Sequence, residues 1–179
     1  MATPSATHDP RTTLAQCRLR MPAPRRIVCA ALFGLLAHVG QPAEATEVED
    51  SALAYVEDSH LGDSLGWLGY QVASRTATFG SMVQAVGKTQ AQVLMQDELQ
   101  RLQPQYQAQW DRNLAAAYAR SFTADELQAL GRGDKQPQLA NKLRARQNDV
   151  GTDMKARSAD LLKDYVSRAL NDALARLPQ

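Results

Sequence analysis

Apolar residues recur at helical spacing along most of the chain. Between residues 65 and 86 they are separated by three, four or seven positions, which places them on one face of a helix. Residues 89–102 predict a second helix, and large side chains then recur every four residues from Tyr106 to Phe122. No run of alternating β-branched residues is bounded by turn signals, so the pattern predicts an all-α protein.

Glycine and proline residues set the predicted boundaries in the first half of the chain. Gly66, Gly69 and Gly80 weaken this helix and either allow close contact between helices or mark a break near Gly80. Gly87 is expected to end this segment, because glycine is common just after a helix. Pro104 either interrupts the chain or occupies the first turn of the next helix.

The clearest helix start follows the aromatic run. Thr123 is a natural N-cap, and Glu126 three residues later completes the pattern of a capping box. Phe122 and Leu127 flank this start at the spacing of a hydrophobic staple. We therefore expect a short helix from here to about Gly131.

The rest of the sequence predicts two more helices. One begins near Pro137, because proline suits the first turn of a helix. The other runs over residues 153–177, and a break around Gly151 separates the two. We therefore predict a single bundle-like domain of about five or six helices over residues 46–179.

Residues 21–45 have the three parts of a secretory signal peptide. Arg25 and Arg26 supply the positive start, and residues 27–40 form the apolar run. This run is shorter than the roughly 20 residues that span a bilayer, which favours cleavage over a membrane anchor. The A-x-A sequence that follows predicts cleavage after Ala45.

The predicted mature chain begins at Thr46. Residues 1–20 are polar and fit poorly before a signal peptide, so we interpret them as a misassigned upstream extension and Met21 as the start of translation. Both cysteines precede position 46, so the mature chain would hold no disulfide. Of 20 basic and 19 acidic residues, five and two lie before position 46, which leaves 15 and 17. This balance argues against a nucleic-acid binder.

The segment around the predicted capping box resembles domain of unknown function 2059, a family of exported helical bacterial proteins. The family motif is Y-x-x-x-F-[ST]-x-x-E-L-x-x-L. It is matched here by Tyr118, Phe122, Thr123, Glu126, Leu127 and Leu130. The family usually continues F-Y-x-S-P-x-G-x-K, of which only Pro137 is present, so the chain resembles a divergent member. The resemblance implies a helical fold and export in a Gram-negative bacterium, and it implies no activity.

Candidate catalytic chemistry centres on the single histidine of the predicted mature chain. His60 lies close in sequence to Glu57 and Asp58, which supports the hypothesis of an envelope hydrolase or lyase using His60 with Asp58 or Glu57. No ligand spacing accompanies these residues, so neither a metal nor another cofactor is predicted. Asp97 and Glu98 are adjacent and do not share a helical face, so we interpret them as part of a solvated surface.

Two other groups of residues indicate binding. Tyr106, Trp110 and Tyr118 define a candidate interaction groove beside the last helix, although aromatic residues at this spacing are also typical of a core. A basic stretch offers candidate contacts to an anionic lipid or glycan, or else an ordinary solvated surface. It consists of Arg132, Lys135, Lys142, Arg144 and Arg146.

The main functional hypothesis is therefore a non-enzymatic binding or interaction module of the cell envelope, either periplasmic or secreted. Its expected partner is an envelope protein or an anionic envelope polymer of unknown identity, rather than nucleic acid. The predicted mature chain carries no apolar run long enough for a transmembrane anchor.

Overall fold

The computed structural model describes residues 42–177, which fold into six α-helices and one short 3₁₀ helix without a strand. The predicted all-α class and the expected number of helices are confirmed. In chain order the elements are α1 (Pro42–Asp58), the 3₁₀ helix (Leu61–Ser64), α2 (Leu65–Ala73), α3 (Ala77–Val86), α4 (Lys88–Ala119), α5 (Ala124–Gly131) and α6 (Pro137–Ala175).

The predicted signal peptide and the upstream extension lie almost entirely outside the described residues. Only positions 42–45 of the predicted leader are described, and they belong to the start of α1. Export, cleavage after Ala45 and the assignment of residues 1–20 therefore stay predictions.

Two long helices form the frame of the domain. α4 has 32 residues and α6 has 39, so at 1.5 Å per residue they extend about 48 Å and about 58 Å. They pack extensively against each other, and α1, α2 and α3 also pack on α4. The largest fully buried apolar side chains are Leu65, Met82, Met95, Leu102, Leu127 and Tyr165.

Both long helices continue through residues that were expected to interrupt them. Pro104 lies inside α4, where its missing N–H leaves the Gln100 carbonyl without an intrahelical donor. Both residues are exposed, so water can reach that carbonyl. Gly151 lies inside α6, so the predicted break there is wrong. An internal glycine costs only about 1 kcal/mol, and burial of Val150 and Met154 beside it holds the helix together.

The break after α2 lies earlier than Gly80. α2 ends at Ala73 and α3 begins at Ala77, which leaves Gly80 inside α3. Thr76 caps α3, because its Oγ1 accepts a hydrogen bond from the Phe79 N–H at 3.2 Å. Phenylalanine rather than glutamate lies three residues after this threonine, so the sequence carries no capping box to reveal the start.

Gly66 and Gly69 allow close contact between α2 and the long helices. Of the two interpretations of these two glycines, close helix contact is therefore the correct one. A Cβ on Gly69 would lie 2.8 Å from the Tyr165 ring and 2.9 Å from the Leu99 side chain. A Cβ on Gly66 would lie 2.9 Å from the side chain of Gln103. Only glycine permits this approach without a shift of its neighbours.

The corner between α4 and α5 forms as the capping box predicts. The Glu126 N–H donates to Thr123 Oγ1 at 3.3 Å, and the Thr123 N–H donates to Glu126 Oε2 at 2.9 Å. Phe122 and Leu127 are both buried. Lys142 of α6 pairs with the Glu126 carboxylate at 2.6 Å and lies 5.1 Å above the Phe122 ring. The capping box therefore also fixes the start of α6.

Glu98 is fully buried, so its interpretation as part of a solvated surface is wrong, whereas Asp97 is exposed. Arg101 Nε donates to Glu98 Oε2 at 2.8 Å, and Arg176 Nη1 forms a close ion pair with Oε1 at 2.5 Å that lacks hydrogen-bond geometry. Arg101 also pairs with Asp172 of α6. A buried charged network thus connects α4 to the end of α6, at a position that was interpreted as solvated because its side chain is charged.

Candidate functional site

A cleft of about 490 Å³ lies where the 3₁₀ helix and α2 meet α4 and α6. Trp110 and Tyr118, two residues of the predicted interaction groove, line it. Pockets of roughly 300–1,000 Å³ with mainly apolar walls are typical sites for small ligands. The apolar side chains that complete these walls are Leu61, Leu68, Leu114, Met154, Ala159 and Leu162.

Regular spacing along the two long helices brings these side chains together. Trp110, Leu114 and Tyr118 are four residues apart on α4 and therefore share one face. The same interval on α6 produces two neighbouring rows, of which the second has small side chains on both sides of a lysine. The rows are Met154, Ser158 and Leu162, and Gly151, Lys155 and Ala159.

Trp110 carries an unpaired polar group in this region. The residue is only 5% exposed, and its indole Nε1 has no hydrogen-bond partner among residues 42–177. A buried donor without an acceptor costs about 1–3 kcal/mol. Packing of the indole therefore has to outweigh this penalty.

Tyr118 is held in place by other aromatic rings. Its ring meets that of Tyr55 edge-on, with centroids 5.3 Å apart, and lies 5.9 Å from the ring of Phe122. Burial, reinforced by the neighbouring Tyr55, raises the pKa of the Tyr118 hydroxyl. Tyr118 is therefore a fixed, neutral wall of the cleft near neutral pH.

Tyr106, the third residue of the predicted groove, does not line the cleft. It is buried between α4 and α6, and its hydroxyl donates to Asp164 Oδ2 at 2.6 Å. Its ring lies 5.0 Å from that of Tyr165. Burial and the neighbouring Asp164 raise the pKa of the Tyr106 hydroxyl, so this side chain belongs to the helix interface.

The polar residues of the lining differ in their partners. Ser158 is buried, accepts a hydrogen bond from Asn113 Nδ2 at 3.0 Å and lies 3.4 Å from the Met154 sulfur. Lys155 is exposed and makes no ion pair within residues 42–177. Among the described residues it is also the only charged side chain that lines the cleft. The site therefore presents one free cation beside an apolar surface.

The 3₁₀ helix that closes one end of the cleft is attached to α4 by polar contacts. Gln107 Nε2 donates to the Gly62 carbonyl at 3.0 Å and to Asp111 Oδ1 at 2.8 Å. A Cβ on Gly62 would lie 1.8 Å from that Asp111 oxygen, so a larger residue would have to displace the Asp111 side chain. Burial raises the pKa of Asp111, whereas its bond to Gln107 opposes the rise.

His60 lies just before this helix and is turned toward solvent. Its backbone has a positive φ of 53°, and its side chain is 78% exposed. The Nδ1 atom lies 3.6 Å from Asp63, whereas no side-chain contact joins it to Glu57 or Asp58 in the described part of the chain. Residues 42–177 also contain no cluster of three or more potential metal ligands.

Three of the five cations in the basic stretch already have acidic partners. Arg132 pairs with Asp134 at 3.1 Å, and Arg146 pairs with Asp149 at 2.9 Å. Lys142 is bound to the capping residue Glu126. Burial acts to raise the pKa of the Glu126 carboxyl, but the hydrogen bonds from Lys142 and from the Thr123 N–H outweigh it, so this pKa is lowered. The two others, Lys135 and Arg144, make no ion pair within residues 42–177.

Several residues of the cleft carried no recognisable signal in the sequence. Leu162 and Met154 are indistinguishable from core positions of an amphipathic helix, and Lys155 from an ordinary surface lysine. Small residues recur at positions 151 and 159, on either side of Lys155, but the same pattern also occurs where helices pack closely, as at Gly66 and Gly69.

No family model, curated protein or solved structure matches this chain. Within residues 42–177, no helix combines the length and the apolar content that crossing a membrane requires.

Proposed function

We propose that this protein is an exported, non-enzymatic binding protein of the cell envelope, and that the cleft between α4 and α6 is its binding site. The observation that carries the proposal is a cleft of about 490 Å³ with mainly apolar walls. An apolar molecule that enters it would be stabilised by burial of its surface.

The chemistry of the lining favours binding over catalysis. The cleft-lining residues include no histidine, cysteine or carboxylate, and the titratable groups among them are Lys155 and Tyr118. A serine nucleophile is commonly activated by a histidine, itself often oriented by a carboxylate, and neither residue type lines the cleft beside Ser64 or Ser158. The walls instead supply contact surface, which is what retention of a ligand needs.

The family resemblance supports the export part of this proposal, because the family consists of exported helical proteins. The positions that match the motif form the corner between α4 and α5, where Tyr118 lines the cleft and Phe122 and Leu127 are buried. The motif therefore has a structural role beside the site. A divergent member of the family would share this corner.

The proposal is tested with N-phenyl-1-naphthylamine, an uncharged fluorophore that becomes bright in apolar surroundings. Wild-type protein is expected to enhance its emission in a saturable way. Ala159→Phe places a large ring in the cleft and should weaken binding by about tenfold or more, equivalent to at least ~1.4 kcal/mol.

Ala156→Phe is the matched control, because Ala156 is an exposed residue of the same helix that does not line the cleft. It should bind the fluorophore as the wild type does, and circular dichroism should show that both variants are folded. Equal binding by the two variants, or no saturable binding by the wild type, would contradict the proposed site.

A further inference from the structure

We propose that the ligand of this cleft is a free single-chain amphiphile with an anionic headgroup, such as a fatty acid, and that Lys155 binds the headgroup. This inference rests on the proposed function, because it names the class of molecule that the same cleft retains. In this proposal the alkyl chain of the ligand contacts the apolar walls, and its anionic headgroup contacts Lys155.

The charge argument starts from the residues that share a helical face with Lys155, which are Gly151, Thr152, Ser158 and Ala159, none of them acidic. The nearest carboxylate along the chain is engaged elsewhere. Asp153 is already held by two arginines, Arg120 at 2.8 Å and Arg157 at 2.7 Å. These partners hold its pKa below the usual value, so it stays ionised and engaged. No ion pair of the described chain uses Lys155, so its ammonium group can receive an anion from outside.

The hydrogen-bonding argument points to the same class of ligand. Lys155 is the charged lining residue, it makes no ion pair within residues 42–177, and its ammonium group is a donor without acceptor capacity. Unpaired donors select a molecule that carries acceptor oxygens over a pure hydrocarbon or an organic cation. A carboxylate satisfies a lysine with a short, charge-assisted hydrogen bond.

The shape of the cleft favours one alkyl chain. The first and last residues of each wall row on α4 and α6 are eight positions apart, which is about 12 Å along a helix axis. A volume of about 490 Å³ suits a molecule of drug-like size rather than a two-chain phospholipid. A free amphiphile therefore fits the cleft better than a lipid held in a bilayer.

The test uses the two tryptophans of the chain, Trp67 and Trp110. Trp67 is 64% exposed and lies outside the cleft lining, so Trp67→Phe leaves Trp110 as the sole reporter. This variant is titrated with dodecanoate, dodecanol and dodecyltrimethylammonium below their micellar concentrations. A bromine-labelled dodecanoate is added as a contact quencher of the indole.

Dodecanoate is expected to bind about three- to tenfold more tightly than dodecanol, in keeping with an ion pair at a partly solvated rim. Dodecyltrimethylammonium should bind most weakly, and high salt should reduce the preference for the anion. The brominated chain should quench Trp110. In the same background, Lys155→Gln should abolish the preference for dodecanoate over dodecanol.

Lys163→Gln is the matched control, because Lys163 is also exposed on α6 and does not line the cleft. It should keep the full preference. Equal binding of dodecanoate and dodecanol would overturn the assignment of the headgroup and leave the cleft as an apolar site. Failure of all three probes to bind would overturn the proposed function as well.

A final measurement distinguishes a free amphiphile from a membrane lipid as the source of the anionic headgroup. Sedimentation with phosphatidylglycerol vesicles should leave the protein in the supernatant and should not change when Lys155 is replaced. Co-sedimentation that depends on Lys155 would overturn the free amphiphile in favour of a lipid surface.

Discussion

At the scale of single residues, buried polar side chains fix the contact between α4 and α6. Glu98 binds two arginines, Tyr106 donates to Asp164, and Tyr165 donates to the Leu99 carbonyl at 2.7 Å. The contacts of Glu98 with Arg176, of Tyr106 with Asp164 and of Tyr165 with Leu99 each join residues more than 50 positions apart. The local pair of Glu98 and Arg101 lies beside the first of them. They give one arrangement of the two helices an advantage over others that bury a similar apolar area.

Replacement of Glu98 by glutamine keeps the shape of the side chain and removes the charge that the two arginines contact. The free energy of unfolding should fall by about 1–3 kcal/mol, as expected when a buried ion pair loses one partner and the arginines are partly hydrated. Urea denaturation measures the change. The exposed neighbour provides the control, since Asp97→Asn should stay within about 0.5 kcal/mol of the wild type.

Tyr165 is expected to make stability depend on alkaline pH. Burial, with a smaller contribution from Tyr106, raises the pKa of its hydroxyl to about 12 from an ordinary value of 10.0. Because the folded-state pKa is the higher one, the stabilisation is complete below pH 10 and is lost as the pH rises through about 12.

Tyr165→Phe removes this titration. At pH 7 the variant should be less stable by about 1 kcal/mol, because it lacks the hydrogen bond to Leu99. Between pH 10 and pH 12 the stability of the wild type should fall more steeply than that of the variant. Parallel unfolding curves across this range would contradict the assigned role of the hydroxyl.

At the scale of helices, local sequence signals and tertiary packing compete to set the boundaries. At Thr123 and Glu126 the local signal alone sets the start of α5, because both hydrogen bonds of the capping box lie within four residues. Gly151 and Pro104 carry local signals for interruption, and packing of the flanking apolar residues overrides both. Burial of a long stripe can offset a penalty of about 1 kcal/mol at one exposed glycine.

Two glycines inside helices should therefore respond to alanine in opposite ways. Gly151→Ala should stabilise the protein by up to about 1 kcal/mol, because no atom of residues 42–177 lies within 4 Å of the added Cβ. Gly69→Ala gains the same helix propensity but places a Cβ 2.8 Å from the Tyr165 ring, so it should destabilise the protein by about 1–3 kcal/mol.

Thermal unfolding of both variants measures the difference. Since each substitution is glycine to alanine within a helix, the comparison isolates packing from propensity. Stabilisation by both substitutions would show that α2 can move away from α4 and α6 without cost.

At the scale of the whole molecule, the cleft exists only because four elements converge. The 3₁₀ helix, α2, α4 and α6 contribute residues from position 61 to position 162. The site therefore requires the folded domain, and no isolated helix of this chain would reproduce it. The proposed function also requires export of the protein to the cell envelope, and export can be tested separately.

The export proposal predicts a defined N-terminus. Translation from Met21 in a Gram-negative host should deliver a protein to the periplasmic extract whose sequence begins at Thr46, as N-terminal sequencing would show. Ala45→Arg should block cleavage, because the cleavage site needs a small residue at this position. A periplasmic protein that keeps residues 21–45 would contradict the predicted cleavage.

Local sequence patterns by themselves determined the all-α class and the start of α5. These features depend on hydrogen bonds and apolar spacing within a few residues, so they can be read without knowledge of the fold. The same patterns identified Trp110 and Tyr118 as large side chains on one helical face. They could not separate the wall of a cleft from a core position.

Only the tertiary structure decided which of those residues meet open space. It placed Tyr106 in the interface with Asp164, left Lys155 beside the apolar walls and buried Glu98 between two arginines. These outcomes depend on which distant residues approach each position, and two long helices can align their faces in several ways. Contacts across the chain select one alignment, and that alignment creates the cleft.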